Sequence, residues 1–337
     1  GTNQVYSNVR NFKSDLCVHK PQFLIVVPRL LEMIFKGVQA QMAAKSPVAR
    51  KAAGLLMAAS SVCMRARRVA TGIVQRTKKP NLVERVLARL LMTFLHPLSL
   101  AADKLVWSKI REGVGGRVKV VVSGGSSLAT YLEDFFDMAK VRVIVGYGLT
   151  ETSPVIANRV AKDNLRGSVG KPIPGTSLRI VHLETGKEVA GGETGRILVK
   201  GAQVMTEYHN NPEATSAAID EDGYFDTGDI GRVNLATGDI IITGRAKDTI
   251  VLSNGENVEP QPIEDAITGE CAIVDQVMLV GQDQRSLAAV VTVNPTELAN
   301  EGLISKEDAT RYVALLGATP LTTGPTGTPK ELKEAEK

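Results

Sequence analysis

A tyrosine between two glycines, then a hydroxyl and a carboxylate, make up the run Gly146-Tyr-Gly-Leu-Thr-Glu-Thr152. Two further runs follow at spacings of roughly 80 and 20 residues, Tyr224-Phe-Asp-Thr-Gly-Asp229 and Gly244-Arg-Ala-Lys-Asp248. Gly146 and Gly148 let a backbone come close to a ligand and leave a face of the Tyr147 ring open to a flat base. Thr150 offers a hydroxyl to a phosphate oxygen, and Glu151 a hard carboxylate to Mg²⁺. Asp229, expected in a tight Asp-Thr-Gly-Asp turn with Asp226, can accept both hydroxyls of a ribose. Arg245 supplies a fixed cationic fork for ribose or phosphate oxygens. Gly244 and the Lys247-Asp248 pair stand where one domain is expected to end and another to begin, which suits a hinge. Each run alone has a plain alternative as a surface turn. Their order and spacing point to one nucleotide site.

The elements that must position these residues follow from periodicity. Residues 118–122 have the apolar character of a short buried strand, 128–139 have helical spacing, and 141–145 form a second strand. Strand, helix and strand within about 30 residues make a βαβ unit, and such units build parallel sheets. The Gly146 run then lies at the carboxyl end of a strand, where ligands bind in open α/β sheets. Upstream, 23–27 reads as another buried strand, and Pro28 suits the first turn of a helix. Helices are expected from there to about residue 111. After Gly167, short strands alternate with turn signals at 177–182, 195–200 and 239–243, the pattern of an antiparallel, barrel-like region. Beyond Asp248 a helix over 259–267 and strands over 274–280 and 287–293 fit a small α+β domain.

Composition bounds the class. With 337 residues, 43% hydrophobic and 23% charged, the chain has room for two cores and is neither disordered nor fibrous. Cys17, Cys63 and Cys271 are odd in number and far apart, so they are expected as buried thiols of a reducing compartment rather than a disulfide framework. No uncharged apolar run of about 18 residues marks a membrane span. The first residues lack both a signal-peptide pattern and an initiator methionine, which leads us to expect a start inside a longer protein. His19, His96, His182 and His209 have no metal-ligand spacing. Between Lys45 and Arg111 there are 14 Lys and Arg against Glu84 and Asp103, a net +12 that leaves −8 for the rest of a +4 chain. With the apolar runs there, that block reads either as an amphipathic insertion packed on its own domain or as a peripheral contact with an anionic membrane. Nucleic acid is not expected, because the basic residues lack interleaved aromatics.

Together the runs resemble the acyl-adenylate-forming (AMP-binding) ligases, specifically the long-chain fatty acyl-CoA and acyl-ACP synthetases of the plant and algal plastid type. Gly146 to Thr152, continued by Ser-Pro-Val at 153–155, is similar to the adenine motif, and Tyr224 to Asp229 to the ribose motif. Ser123-Gly124-Gly125-Ser126 resembles the segment bordering adenine and acyl chain. Gly244 to Ile250, continuing through Ser253 to Pro260, resembles the hinge and the start of a mobile lid.

The resemblance implies an α/β fold: a partial large adenylation domain over 1–246, holding the basic helical insertion at 45–111 and the barrel-like region at 167–243. A truncated α+β lid over 247–317 and a disordered tail over 318–337 would follow. It implies ATP, Mg²⁺ and a long-chain fatty acid as reactants, with CoA or the phosphopantetheine of an acyl-carrier protein as acceptor. Thr150 and Glu151 would hold phosphate and Mg²⁺, and Tyr147 the adenine beside Gly124, Gly125 and Ser126. Asp229 and Arg245 would hold the ribose, and Lys247 would be the pivot. A plastid, or the cytoplasmic side of a membrane, would be the location. That family's phosphate loop with its Lys, and the lid lysine, find no match at their expected places, so a non-catalytic AMP- or acyl-binding module is the alternative. Thr322 to Lys330 echoes such a phosphate loop out of place.

Overall fold

The computed structural model describes residues 4–8, 10–76 and 78–318, so Thr322 to Lys330 and the tail from 319 lie outside the described residues. Two compact units are present: Gly1–Asp265 with Val280–Leu287, and Ala266–Leu279 with Ala288–Lys337.

The first unit begins with α1 (Phe12–His19) and β1 (Phe23–Val26), and Pro28 is the first residue of α2 (Pro28–Ala43). Pro suits that place because its missing N–H has no partner at a helix start. A hairpin of α3 (Pro47–Thr71) and α4 (Leu82–Ala102) follows. Gly72, at φ 80°, ends α3, while Asn81 and Glu84 form a reciprocal cap at the start of α4. From α4 the chain continues through a π-helical turn, Asp103–Trp107, into α5 (Ser108–Gly113). The expected βαβ unit is then built from β2 (Val120–Ser123), α6 (Thr130–Met138) and β3 (Arg142–Gly148). β1, β2 and β3 are parallel neighbours, and β4 (Val155–Asn158) and β5 (Lys171–Pro172) extend the sheet antiparallel in the order β1-β2-β3-β4-β5.

The antiparallel region is a second sheet. β6 (Ser177–Val181), β7 (Gly195–Lys200), β8 (Phe225–Val233) and β9 (Ile240–Arg245) pair in sequence order, with α7 (Pro212–Ala218) between β7 and β8. Among the described residues the ladder runs linearly, and a single bridge, Gly170 to Ile240, reaches the β5 segment. A small hairpin of β10 (Ile250–Val251) and β11 (Asn257–Val258) follows, and α8 (Pro260–Glu270) crosses the division between units. The second unit holds most of β12 (Val274–Val280), which pairs with β13 (Ala288–Val293), and then α9 (Pro295–Asn300) and α10 (Lys306–Ala318).

The two larger apolar clusters of the first unit fix its sheets. One gathers Leu31, Trp107, Val121, Phe135, Phe136 and Val143. Phe135 meets Phe35, Trp107 and Phe136 edge-on, at ring separations of 5.0, 5.8 and 5.2 Å, the arrangement the ring quadrupoles favour. The buried Trp107 indole N–H donates to Ser60 Oγ at 2.9 Å, so the ring is sunk without an orphaned donor. The other cluster gathers Ile156, Ile180, Ile197, Val199, Phe225 and Ile240, and Tyr147 and Leu149 pack on it from the end of β3. The end of β3 is thereby fixed against the second sheet.

The structure departs from expectation in two further ways. Val83, Leu87, Leu90, Phe94 and Leu98 of α4 are exposed at helical spacing. By length and composition the continuous helix Leu82–Gly113 can cross a membrane, although no fully uncharged run is visible in the sequence. The cysteines are not the buried thiols expected: Cys17 is exposed, while Cys63 and Cys271 are half-buried, and all three are free.

Candidate functional site

Ser123 at the end of β2 stands in register with Val145 of β3, so the loops leaving both strands emerge at one sheet edge. Gly124 there is so close that a Cβ on it would stand 3.5 Å from the Gly146 carbonyl oxygen, and Gly125 takes φ 90°. Ser126 continues that loop. The structure thus brings Gly124 beside Gly146, with Gly125 and Ser126 following in the same loop.

Gly148 has a different role from the one expected. A Cβ on it would meet the Pro154 carbonyl oxygen at 1.7 Å. That oxygen accepts from the Leu149 N–H at 2.9 Å and the Thr152 hydroxyl at 2.6 Å. Gly148 therefore permits the chain to fold back on itself, while around Gly146 there is open space for a ligand.

The second run is not a turn. Asp226 to Asp229 lie within β8, and Gly228, at φ 70°, marks an irregularity inside the strand. Aspartate, threonine and glycine have turn propensity, but pairing on both sides with β7 and β9 overrides it. The side chains still make local turn-like bonds. Asp226 Oδ1 accepts from the Gly228 N–H at 2.9 Å, and Asp226 Oδ2 is held by Arg196 at 3.1 Å. Thr227 Oγ1 accepts from the Asp229 N–H at 3.1 Å. Asp226 is spent on structure, and Asp229 is left to face the site.

Asp229 and Arg245 are direct partners across β8 and β9. Arg245 Nε donates to Asp229 Oδ1 at 2.9 Å, and the Tyr147 hydroxyl donates to Asp229 Oδ2 at 2.6 Å. Residues from the other two runs therefore meet on the Asp229 carboxylate. Asp229 is only 2% exposed. Burial pushes its pKa up, and the bonds from Tyr147 and Arg245 pull the other way. Burial, then the charge and hydrogen bond of Asp229, push the Tyr147 phenol up, so it is a neutral donor.

Thr150 and Glu151 occupy a short 3₁₀ turn, Thr150–Thr152, directly after β3. Glu151 Oε1 accepts from the Tyr208 hydroxyl at 3.0 Å, and the Glu151 carbonyl accepts from the Met205 N–H at 2.7 Å. Among the described residues no group of three or more His, Cys, Asp or Glu is gathered as a metal cage. One carboxylate and one hydroxyl, both hard oxygen donors, instead fit a Mg²⁺ that keeps its waters and takes its other ligands from nucleotide phosphates. Lys247 is exposed in the turn after β9, at 246–248, and the structure brings it to none of these side chains. Nearby, the Thr249 hydroxyl donates to Glu259 Oε1 at 2.7 Å.

Sequence reasoning missed Tyr208, for which no spacing signal exists. It also missed the buried pair of Glu133 on α6 and Arg159 after β4, which braces the end of β3. Arg159 reaches both Glu133 oxygens, at 2.5 and 3.0 Å, and donates to the Ser168 carbonyl at 2.5 Å.

Comparison with known proteins places this geometry. The chain matches the AMP-binding enzyme family over residues 2–209 and the AMP-binding enzyme C-terminal domain over 247–314. It is 42% identical over 317 residues to "Probable acyl-activating enzyme 16, chloroplastic" of Arabidopsis thaliana, covering 90% of this chain and 43% of that protein. It is 38% identical over 312 residues to "Long-chain-fatty-acid--[acyl-carrier-protein] ligase AEE15, chloroplastic" of the same plant, covering 88% and 43%. The chain thus spans less than half the length of these relatives. The A domain of carboxylic acid reductase from Segniliparus rugosus, solved with AMP and a co-purified carboxylic acid, superposes with a TM-score of 0.60 at 22% identity, over 96% of this chain and 43% of that one. That likeness shows a shared adenylation-domain fold. The chain belongs to the AMP-binding enzyme family.

Proposed function

We propose that this chain handles the adenylate in ATP-dependent activation of a long-chain fatty acid to a thioester. The carrying observation is the convergence of Tyr147 and Arg245 on the buried Asp229 carboxylate. In this reading the Tyr147 ring, with Gly124, Gly125 and Ser126, borders the adenine. Asp229 and Arg245 hold the ribose, and Thr150 a phosphate oxygen. Mg²⁺ at Glu151, when bound, offsets phosphate charge. A fatty-acid carboxylate oxygen attacks the α-phosphorus of ATP and pyrophosphate leaves. A thiolate then attacks the acyl carbon and AMP leaves. Routing through the mixed anhydride replaces hydroxide, a poor leaving group, by AMP. The acceptor is the phosphopantetheine of an acyl-carrier protein or CoA, with residues 247–317 acting as a lid that pivots at Lys247. The plastid is the compartment, in line with the chloroplastic relatives.

The test is isothermal titration of the chain with a non-hydrolysable palmitoyl-AMP analogue. Saturable binding that is lost in Asp229→Ala is expected. A folded chain that does not bind would overturn the reading and leave the family relation as ancestry. Binding of the analogue without ATP-dependent turnover would favour a non-catalytic acyl-adenylate module.

Peripheral contact with an anionic membrane through 45–111 belongs to the same proposal. The two acids of this block are already engaged. Glu84 caps α4 and pairs with Arg76 at 3.4 Å, and Asp103 pairs with Arg111 at 2.8 Å and Lys140 at 3.0 Å. Lys78, Lys79 and Arg89 are exposed around the apolar stripe of α4. Sedimentation with phosphatidylglycerol vesicles is expected to carry the chain down, and phosphatidylcholine vesicles to carry far less. Leu90→Glu with Phe94→Glu is expected to abolish binding. Equal binding by this variant would remove the stripe from the contact.

A further inference from the structure

The carboxylate proposed to face the nucleotide's cation is gripped by a residue that nothing in the sequence singles out. Tyr208 donates its hydroxyl to Glu151 Oε1 at 3.0 Å. Among the described residues Oε2 of the same carboxylate has no hydrogen-bond partner. A glutamate side chain left free would spread over many rotamers, and holding one oxygen selects among them before any ligand arrives.

Tyr208 can do this because its own segment is anchored on several sides. Its N–H donates to Thr215 Oγ1 at 3.0 Å, and that hydroxyl donates to the Asn211 carbonyl at 2.8 Å, at the start of α7. Upstream, the Met205 N–H donates to the Glu151 carbonyl at 2.7 Å, and Gln203 donates to Thr176 Oγ1 at 2.6 Å. Val204 and Met205 pack on the same apolar cluster as Tyr147 and Leu149. The 203–208 segment is thereby stapled to the Thr150–Thr152 turn through both backbone and side chain. An exposed tyrosine on a free loop would lack this rigidity.

We propose that Tyr208 is a positioning residue that holds Glu151 Oε1 so that Oε2 is presented to a divalent cation carried by nucleotide phosphates. The proposal rests on the reading of Glu151 as the cation-facing carboxylate. Tyr208 touches neither nucleotide nor cation; it acts through Glu151. Removing only its hydroxyl should therefore weaken the cation-dependent part of binding and leave the rest.

The experiment compares the parent chain with Tyr208→Phe, which keeps the ring and its packing. Isothermal titration with α,β-methylene-ATP over a series of Mg²⁺ concentrations reads the half-saturating Mg²⁺. Titration with AMP without Mg²⁺ reads the base and ribose contacts alone. The expected result is a half-saturating Mg²⁺ raised about fivefold to tenfold, in the range of one typical hydrogen bond since the hydroxyl acts only through Glu151, with unchanged AMP affinity. Unchanged half-saturation would overturn the proposal, and a lowered one would show that the hydroxyl competes with the cation. An equal loss in AMP affinity would reduce Tyr208 to a structural residue. If the parent binds the analogue with no Mg²⁺ dependence, the reading of Glu151 itself fails and the proposal falls with it.

Discussion

Arg159→Met will lower the stability of the first unit by about 3–5 kcal/mol, the cost of leaving a buried charge without its partner. Arg159 and Glu133 are 3% and 6% exposed, so neither charge can recover water when the other is gone. Glu133 Oε1 also accepts from the Gly167 N–H at 3.0 Å, and Arg159 Nε holds the Ser168 carbonyl. Loss of either side chain therefore orphans backbone groups as well as a charge. With native stabilities of about 5–15 kcal/mol, a loss of this size is a large fraction of the total. Glu133→Leu should cost a similar amount. The double variant Glu133→Leu with Arg159→Met should cost less than either single loss, because no charge is then stranded. Urea unfolding can follow this through the fluorescence of Trp107, the sole tryptophan. Trp107 packs on Phe135 of α6, the helix that carries Glu133, so it reports on this region of the first unit. A double variant as unstable as either single one would mean that packing, rather than charge pairing, dominates.

That ion pair also shows what a sequence can and cannot reveal. Its partners are 26 residues apart and are common residue types, so no period or motif joins them. Tyr208 is hidden in the same way, 57 residues from Glu151. The runs around Tyr147 and Asp229 were legible because each gathers uncommon neighbours in a short stretch, and because β8 and β9 are adjacent strands that set Asp229 opposite Arg245. The βαβ unit was legible from apolar periodicity, with boundaries off by one to three residues. Asp226 to Asp229 were misread as a turn because the composition is that of turns, while strand pairing, a non-local effect, decides the backbone. Gly148 was assigned to ligand approach when its need comes from Pro154, six residues further on. Chain reversal at that scale leaves no pattern in residue type.

Nucleotide affinity should fall on acidification earlier than an ordinary aspartate would dictate. The proposed ribose grip needs Asp229 ionised, since only the carboxylate accepts at both oxygens. Burial raises the pKa of Asp229 above the usual carboxylate range, against the pull of Tyr147 and Arg245. Such a group holds its proton better in the native chain than in the unfolded one. Its contribution to stability is therefore fully present below the unfolded pKa and lost as pH rises through the folded pKa. Binding runs the other way: affinity for AMP rises as pH rises through that same folded pKa. Tyr147→Phe removes a hydrogen bond that favours the ionised form, so its affinity midpoint should move to higher pH while the ring remains for the base. Arg245→Ala should move it the same way by removing the positive charge at Oδ1. Asp229→Asn should flatten the profile and cost about 10- to 150-fold in AMP affinity, the equivalent of about 1.5–3 kcal/mol for hydrogen bonds to a charged group. Titration calorimetry from acid to neutral pH measures all four chains. A parent profile with the same midpoint as Tyr147→Phe would show that the Tyr147 hydroxyl does not favour ionised Asp229 in the free site, and would remove it from the grip.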